Sequence, residues 1–228
     1  MGNSKTAIIT GSTRGIGLAT ADKLQKEGYN VVIFCRHEEH AQEAKNQLIA
    51  PEKTLALTGD VRKEKDIENI VEKTIDKWGK IDILVNNAGK AIYKPIQETS
   101  LEEWEDVVDT NAKGTFLFSK KVIPKMKKEG SGKIINISSG LGLSGQANYS
   151  AYSMSKFAVV GLTEVLADEL QEIKSYAVCP GGVATKLHLD IHPWENPDNM
   201  MKPEHIAEEI MNLIYSEKES GYIHKVFS

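Results

Sequence analysis

Long apolar runs are missing from this 228-residue chain, and no stretch approaches the roughly 20 residues that a membrane-spanning helix needs. Nor does the N-terminus show the charged-then-apolar layout of a secretory signal, so the expected address is the cytoplasm, with no membrane partner. Cysteine is scarce. Cys35 and Cys179 are too few for a disulfide framework, and each ends an apolar run, which reads both as small core residues. Basic charge is not in surplus: a net charge of −4 disfavours nucleic acid as a partner. Arginine is limited to Arg14, Arg36 and Arg62, against 25 lysines. No internal repeat, low-complexity tract or linker divides the chain, and its length suits one domain, residues 1–228. Met1-Gly2-Asn3-Ser4-Lys5-Thr6 formally fits an N-myristoylation pattern, but a first strand expected from Lys5 or Thr6 leaves no free segment ahead of the fold, so acylation is not expected.

What the chain does contain is a steady alternation of short apolar runs and longer amphipathic ones. Strands are expected at 6–10, 31–35, 54–58, 81–85, 133–138, 175–179 and 222–227, and helices at 16–27, 38–49, 63–78, 101–109, 112–128, 151–172 and 203–215. That order predicts an α/β domain, a doubly wound seven-stranded parallel sheet with helices on both faces. Gly28 and Gly79 suit left-handed helix caps, Pro203 suits a first helical turn, and Pro124 should kink or divide its helix. Residues 185–202 form the one long irregular stretch.

Two features carry chemistry. After the first strand, Thr10-Gly11-Ser12-Thr13-Arg14-Gly15-Ile16-Gly17 opens into a helix. A turn free of Cβ atoms lets a pyrophosphate approach the backbone, and the helix N-terminus offers unpaired N–H groups and a positive dipole end. Further on, Tyr152 and Lys156 stand four apart on one helix face, with Ser139 thirteen residues upstream. A cation beside a phenol lowers its pKa toward the range useful for acid/base work. With 7 Tyr and 25 Lys, chance alone supplies about one such pair, so its weight comes from its company.

That company consists of the T-G-x-x-x-G-I-G turn, Asn86-Asn87-Ala88-Gly89, Asn111, Ser139, Tyr152-x-x-x-Lys156 and Pro180-Gly181, in that order. Residues 5–187 thereby resemble the short single-domain branch of the short-chain dehydrogenase/reductase family, 3-oxoacyl reductases included. The resemblance implies that Gly11, Ser12, Thr13, Arg14, Gly15, Ile16 and Gly17 hold a nicotinamide dinucleotide, with Asp60 and the Val61 backbone at its adenine. Asn87, Ala88 and Gly89 then wall the adenosine, while Pro180, Gly181, Val183 and Thr185 hold the carboxamide end. Tyr152 becomes the proton donor, Ser139 the carbonyl partner, Lys156 the holder of the nicotinamide ribose, and Asn111 the support of a water-linked proton path. Taken alone, Asp60 reads equally well as a turn or N-cap aspartate, while Asn111 reads better as a helix N-cap and Ser139 as a turn residue. At the end of the second strand, where NAD-binding folds carry an acidic residue, this chain has Cys35 and Arg36; a guanidinium there, with Arg14 in the turn, suits a 2′-phosphate and predicts NADP(H) over NAD(H).

The expected activity is hydride transfer between NADP(H) and a ketone or secondary alcohol, with 3-oxoacyl thioesters as one candidate substrate and polyols as an alternative. A nonenzymatic NADP(H)-binding regulator is the alternative of another class. The candidate substrate lining is mostly apolar: Ile92, Tyr93, Leu141, Leu143, Gln146, Tyr149, and, in a lid over 185–202, Leu187, Leu189, Ile191, Trp194, Met200 and Met201. The lid is short for the family, and the family's glycine-containing tail is missing, which would leave the pocket open on one side. The chain between Leu170 and Tyr176 is also short, predicting a tight loop. His188 and His192 have ligand-like spacing, but Pro193 follows and no third ligand is evident, so no metal is expected. The resemblance implies a homodimer or homotetramer, with Phe116, Phe118, Val159, Leu162 and Leu166 divided in some way between core and interface.

Overall fold

The computed structural model describes residues 4–227, so the Gly2 of the acylation pattern lies outside the described residues. Seven parallel strands, β1 (Thr6–Thr10), β2 (Asn30–Cys35), β3 (Thr54–Thr58), β4 (Ile83–Asn86), β5 (Gly132–Ile137), β6 (Ile173–Pro180) and β7 (Ile223–Val226), form one sheet in the order β3-β2-β1-β4-β5-β6-β7. Each crossover is helical: α1 (Gly15–Lys26), α2 (Glu38–Gln47), α3 (Glu64–Trp78), α4 (Leu101–Val108), α5 (Gly114–Glu129), α6 (Ser150–Glu169), α7 (Lys186–Ile191) and α8 (Pro203–Tyr215). The doubly wound single domain expected from the alternating pattern is what forms.

The continuous apolar runs follow from burial on both sheet faces. Successive strand residues point to opposite faces. Ala7 and Ile9 of β1, Val31 and Ile33 of β2, and Ile83 and Val85 of β4 therefore join one core with α1 and α8. Ile8, Val32, Phe34 and Leu84 join the other, against α3, α5 and α6. The chain leaves β1 toward β2 on one side and later returns to β4 on the other. Loops after these strands diverge there and open a crevice at their C-terminal ends, the usual binding position in such sheets.

Local signals act as their chemistry requires. Gly28 (φ +85°) follows α1 and Gly79 (φ +80°) ends α3, both left-handed and both with open space where a Cβ would stand. Pro203 opens α8. Only residues 170–172 separate α6 from β6, the tight loop expected.

Four expectations need correction. α4 and α5 are not separate helices; a π-helical turn, Asp109–Lys113, joins them, and Asn111 sits in it. Widened turns of this kind occur where a helix must re-aim a side chain. α5 runs through Pro124 undivided, because its neighbours Val122 and Met126 are fully buried and hold the helix against the sheet. The stretch 185–202 is not wholly irregular: it begins with α7, and a bridge between Val183 and Met201 ties its two ends together. Cys35 is half-buried on the crevice wall rather than in the core, whereas Cys179 is fully buried. Of the five apolar residues left between core and interface, Phe118, Val159 and Leu166 are core, Leu162 is half-buried, and Phe116 is exposed.

Candidate active site

A cleft of about 840 Å³ crosses the C-terminal ends of the strands, from Arg36 at one end to Trp194 at the other. The glycine turn forms its floor. Gly11 (φ +63°) occupies the left-handed region, and a Cβ there would stand 2.8 Å from the Ala88 Cα. Gly17 needs its hydrogen for a different reason: a Cβ would meet the Asn87 Nδ2 at 2.5 Å and the Gly11 carbonyl oxygen at 2.7 Å. It fixes the close approach of α1 to the β4 loop and does not itself line the cleft. No side chain caps the N-terminus of α1, where Arg14 is extended and Gly15 and Ile16 face the cleft. Free N–H groups and the positive dipole end are thereby offered to an anion.

Ser12 does not fit its expected ligand role. Fully buried, it accepts a hydrogen bond from the Phe34 N–H (2.9 Å) and donates to the Ile9 carbonyl (2.7 Å), while its own N–H is directed to the Phe34 carbonyl. Its polar groups pin the turn to β2. Thr13, by contrast, lines the cleft. Asn87 is also a clamp: its side chain donates to the carbonyls of Thr10 and Gly11 (2.9 and 3.0 Å), and the Thr10 hydroxyl accepts from the N–H groups of Asn87 and Ala88.

At the β2 end, Arg14 and Arg36 are exposed, line the cleft, and form no ion pair among the described residues. Arg62 is committed elsewhere, to Asp60 (2.5 Å) and Asp106 (2.6 Å). The Arg62 guanidinium holds the Asp60 carboxyl below the usual carboxylate range against the opposing effect of burial. Asp60 and Val61 do line the cleft, but the Asp60 side chain is engaged by an arginine fork, so its first duty is structural. Burial pushes the Cys35 thiol up, away from the thiolate form.

At the other end, α6 presents Tyr152 and Lys156 to Ser139. Lys156 is 4% exposed, and burial pushes its ammonium down to about 8. Its Nζ donates to the Ile137 carbonyl (2.7 Å) and lies 5.7 Å from the centre of the Tyr152 ring. Burial raises the Tyr152 phenol, and the Ser139 hydroxyl opposes this only in part. The direction is opposite to the depression expected from a neighbouring cation: burial dominates at the phenol, and the Lys156 ammonium is directed at the Ile137 carbonyl. The two adjacent serines divide as strand alternation requires. Ser138 is buried and donates to the Lys156 carbonyl (2.9 Å), while Ser139 opens the short turn Gly140–Gly142 and accepts from the Leu141 N–H (3.1 Å).

Asn111 reaches the site through the π turn. Fully buried, it accepts from the Lys90 N–H (2.7 Å) and donates to the Lys90 carbonyl and the Ser155 hydroxyl (both 2.8 Å). It thus fastens the loop after β4, at Lys90, to the helix carrying Tyr152 and acts as a positioning group. A second buried chain was not evident in the sequence: Asn86 donates to the Asn136 side chain (2.8 Å) and Asn136 to the Thr163 hydroxyl (3.0 Å), linking β4, β5 and α6. Isolated Asn and Thr within strand and helix patterns give no signal of pairing until the sheet order sets them side by side.

Pro180, Gly181, Val183 and Thr185 line the cleft above β6. Thr185 caps α7 and roofs the glycine turn, its Cγ2 standing 3.2 Å from the place of a Gly15 Cβ. Beyond them the expected apolar lining is only partly found. Tyr93, Leu141, Gln146, Tyr149, Leu187, Ile191 and Trp194 line the space, but so do His188, His192 and Glu195, and Met201 is spent on the bridge to Val183. The side chains of His188, His192 and Glu195 bring one potential ligand atom each within 4.8 Å of one another, so the third group whose absence argued against a metal is Glu195.

The family model described as short chain dehydrogenase matches residues 5–196, most of the chain. The protein belongs to the short-chain dehydrogenase family. Its members are oxidoreductases that bind a nicotinamide cofactor. An oxidoreductase of Thermotoga maritima, described as uncharacterized, is 39% identical over 202 residues, covering 87% of this chain and 80% of that one. A crystal structure of a variant actinorhodin polyketide ketoreductase with NADPH superposes with a TM-score of 0.92 at 33% identity, covering 98% of this chain and 96% of that one. A 3-ketoacyl-(acyl-carrier-protein) reductase from Brucella melitensis, complexed with NADH, gives a TM-score of 0.88 at 30% identity, covering 97% and 96%. This short-chain dehydrogenase thus shares its whole fold with reductases crystallised with either cofactor. Among its described residues, no helix is long and apolar enough to cross a membrane.

Proposed function

We propose that the protein is an NADP(H)-dependent reductase of ketones, reversible as a secondary-alcohol dehydrogenase. The observation that carries this reading is the convergence on one cleft of an uncapped helix N-terminus, two guanidinium groups without acidic partners among the described residues, and the Ser139, Tyr152 and Lys156 constellation. The residues fit a dinucleotide: the Gly11 and Gly15 turn leaves room at the α1 N-terminus that Cβ atoms would fill, and Arg14 and Arg36 lie where a 2′-phosphate would be received. When bound, the nicotinamide supplies the hydride for the carbonyl carbon.

The rest belongs to the chain. A tyrosine phenol is protonated at neutral pH, as a proton donor to the carbonyl oxygen should be, and burial moves Tyr152 further in that direction. Ser139, beside it, donates a hydrogen bond to the same oxygen. An ammonium has three donors. Lys156 places one on the Ile137 carbonyl, which leaves two for ribose hydroxyls. Residues 185–202, tied at their base by Val183 and Met201, serve as a short substrate lid. A 3-oxoacyl thioester is the favoured substrate class, supported by the similarity to the two ketoreductase structures.

A panel of carbonyl substrates assayed with NADPH and NADH tests the whole reading. Stoichiometric NADPH oxidation with a ketone is expected; tight cofactor binding without turnover of any ketone would instead make the protein a binding regulator. Arg36→Asp should lower kcat/KM for NADPH by about 10–100-fold, the worth of one charge-assisted hydrogen bond. Equal efficiency with both cofactors before the substitution would defeat the preference.

Assembly into a homodimer or homotetramer belongs to the same proposal. Phe116, Met154, Phe157 and Val165 of α5 and α6 expose apolar surface that the core does not use. Sedimentation equilibrium should give a dimer or tetramer, and a monomer at all concentrations would refute it.

A further inference from the structure

We propose that His188, His192 and Glu195 form a binding site for a divalent transition metal of the zinc class, at the substrate end of the cleft. His188 lies within α7 and His192 is its C-cap, four residues on, and the chain turns back after Pro193 to bring Glu195 beside them. The His188 Nε2 stands 2.9 Å from one Glu195 oxygen, and the His192 Nδ1 stands 3.9 Å from the other. Two ligands of a tetrahedral zinc, each about 2.0–2.1 Å from the ion, are ~3.3 Å apart. These spacings bracket that figure, and all three ligand atoms lie within 4.8 Å of one another.

His192 supplies a second, independent observation. The residue is 6% exposed, its Nε2 is in contact with the Tyr149 hydroxyl, and its Nδ1 has no hydrogen-bond partner among the described residues. Neither tautomer resolves this. With hydrogen on Nε2, the Nδ1 lone pair faces a carboxylate; with hydrogen on Nδ1, the N–H is directed at an oxygen 3.9 Å away, too far to bond. A cation between Nδ1 and Glu195 satisfies both groups. The Tyr149 hydroxyl then acts as the outer partner that a metal-bound imidazole normally engages through its other nitrogen, fixing the ring and its tautomer. Three protein ligands leave one coordination position open, and because all three side chains line the cleft, that position is open to water or to an oxygen donor of a ligand there.

The test uses the full chain without a polyhistidine tag and does not depend on turnover. Equilibrium dialysis against Zn²⁺ should give one ion per chain, and Co²⁺ in its place should give the strong visible absorption of a four-coordinate site. Glu195→Gln or His188→Ala should abolish that absorption. Both residues are solvent-accessible, with side chains 42% and 24% exposed, so neither substitution threatens the fold. Tyr149→Phe should weaken zinc binding by about 10–100-fold while preserving the Co²⁺ spectrum, as expected for loss of an outer-shell partner. Less than one ion per chain, the weak absorption of six-coordinate Co²⁺, or affinity unchanged by Glu195→Gln and His188→Ala would overturn the proposal.

Discussion

Tyr152→Phe is expected to lower kcat for ketone reduction by about 10²–10⁴-fold, the usual contribution of a positioned proton donor. The substitution removes one oxygen and keeps the ring, whose packing on Tyr149 at a centroid distance of 6.0 Å is retained. The phenol gives up one hydrogen bond, that with the Ser139 hydroxyl, so stability should change by less than about 1.5 kcal/mol. Cofactor affinity, set by the glycine turn, the arginines and Lys156, should stay close to that of the parent. Steady-state kinetics and a fluorescence titration with NADPH separate the two readouts. Turnover at the parent rate would remove Tyr152 from the proton-transfer role, and a matching loss of cofactor affinity would move it to binding.

The second large effect lies at Lys156. Lys156→Met should reduce turnover by at least about 10²-fold, since it removes the ammonium that lies 5.7 Å from the centre of the Tyr152 ring. The same substitution should make the cofactor-free protein more stable at pH 7. Burial depresses the ammonium from 10.5 to about 8, and at 1.36 kcal/mol per pKa unit that is a cost of ~3 kcal/mol in the folded state. Loss of the hydrogen bond to the Ile137 carbonyl returns ~1 kcal/mol of it, leaving a net gain of about 2 kcal/mol.

The pH dependence has a definite sign. Between pH 8 and 10.5 the unfolded chain binds the proton more than the folded one does, so the parent gains stability as pH rises through that window. The advantage of the methionine variant is therefore full below pH 8 and fades toward pH 10.5. Urea unfolding of both proteins at pH 7 and pH 10 reads this directly. A variant less stable than its parent at pH 7, or a gap that ignores pH, would show that desolvation of Lys156 is not what the fold sustains.

These two residues also show how unevenly the sequence speaks. The spacing of Tyr152 and Lys156 on α6, and of Ser139 upstream, was legible because helix periodicity alone puts i and i+4 on one face. Their proton affinities were not. The expectation that Lys156 lowers the phenol assumed a cation turned toward it, whereas its Nζ is drawn to the Ile137 carbonyl and both groups are desolvated by the sheet ends around them. Ser12 is a similar case. The G-x-x-x-G-x-G pattern marks it as part of a cofactor turn, but which way its hydroxyl points depends on Phe34, twenty-two residues away on β2. His188 and His192 could be noticed as a pair, yet Glu195 becomes a third group only after Pro193 reverses the chain.

By itself the amino-acid sequence determined the strand and helix order, the parallel sheet, the glycine turn and the membership of Ser139, Tyr152 and Lys156 in one site, because periodicity, glycine stereochemistry and motif order are local and additive. The tertiary structure alone decided what burial and long-range contact control: the single α4–α5 helix with its π turn, the structural duties of Ser12, Asp60 and Asn111, the half-buried Cys35, the division of Phe116 from Phe118, and the direction of each pKa. Desolvation and hydrogen bonding depend on which distant atoms surround a group, and that is settled only when the sheet brings its strand ends together.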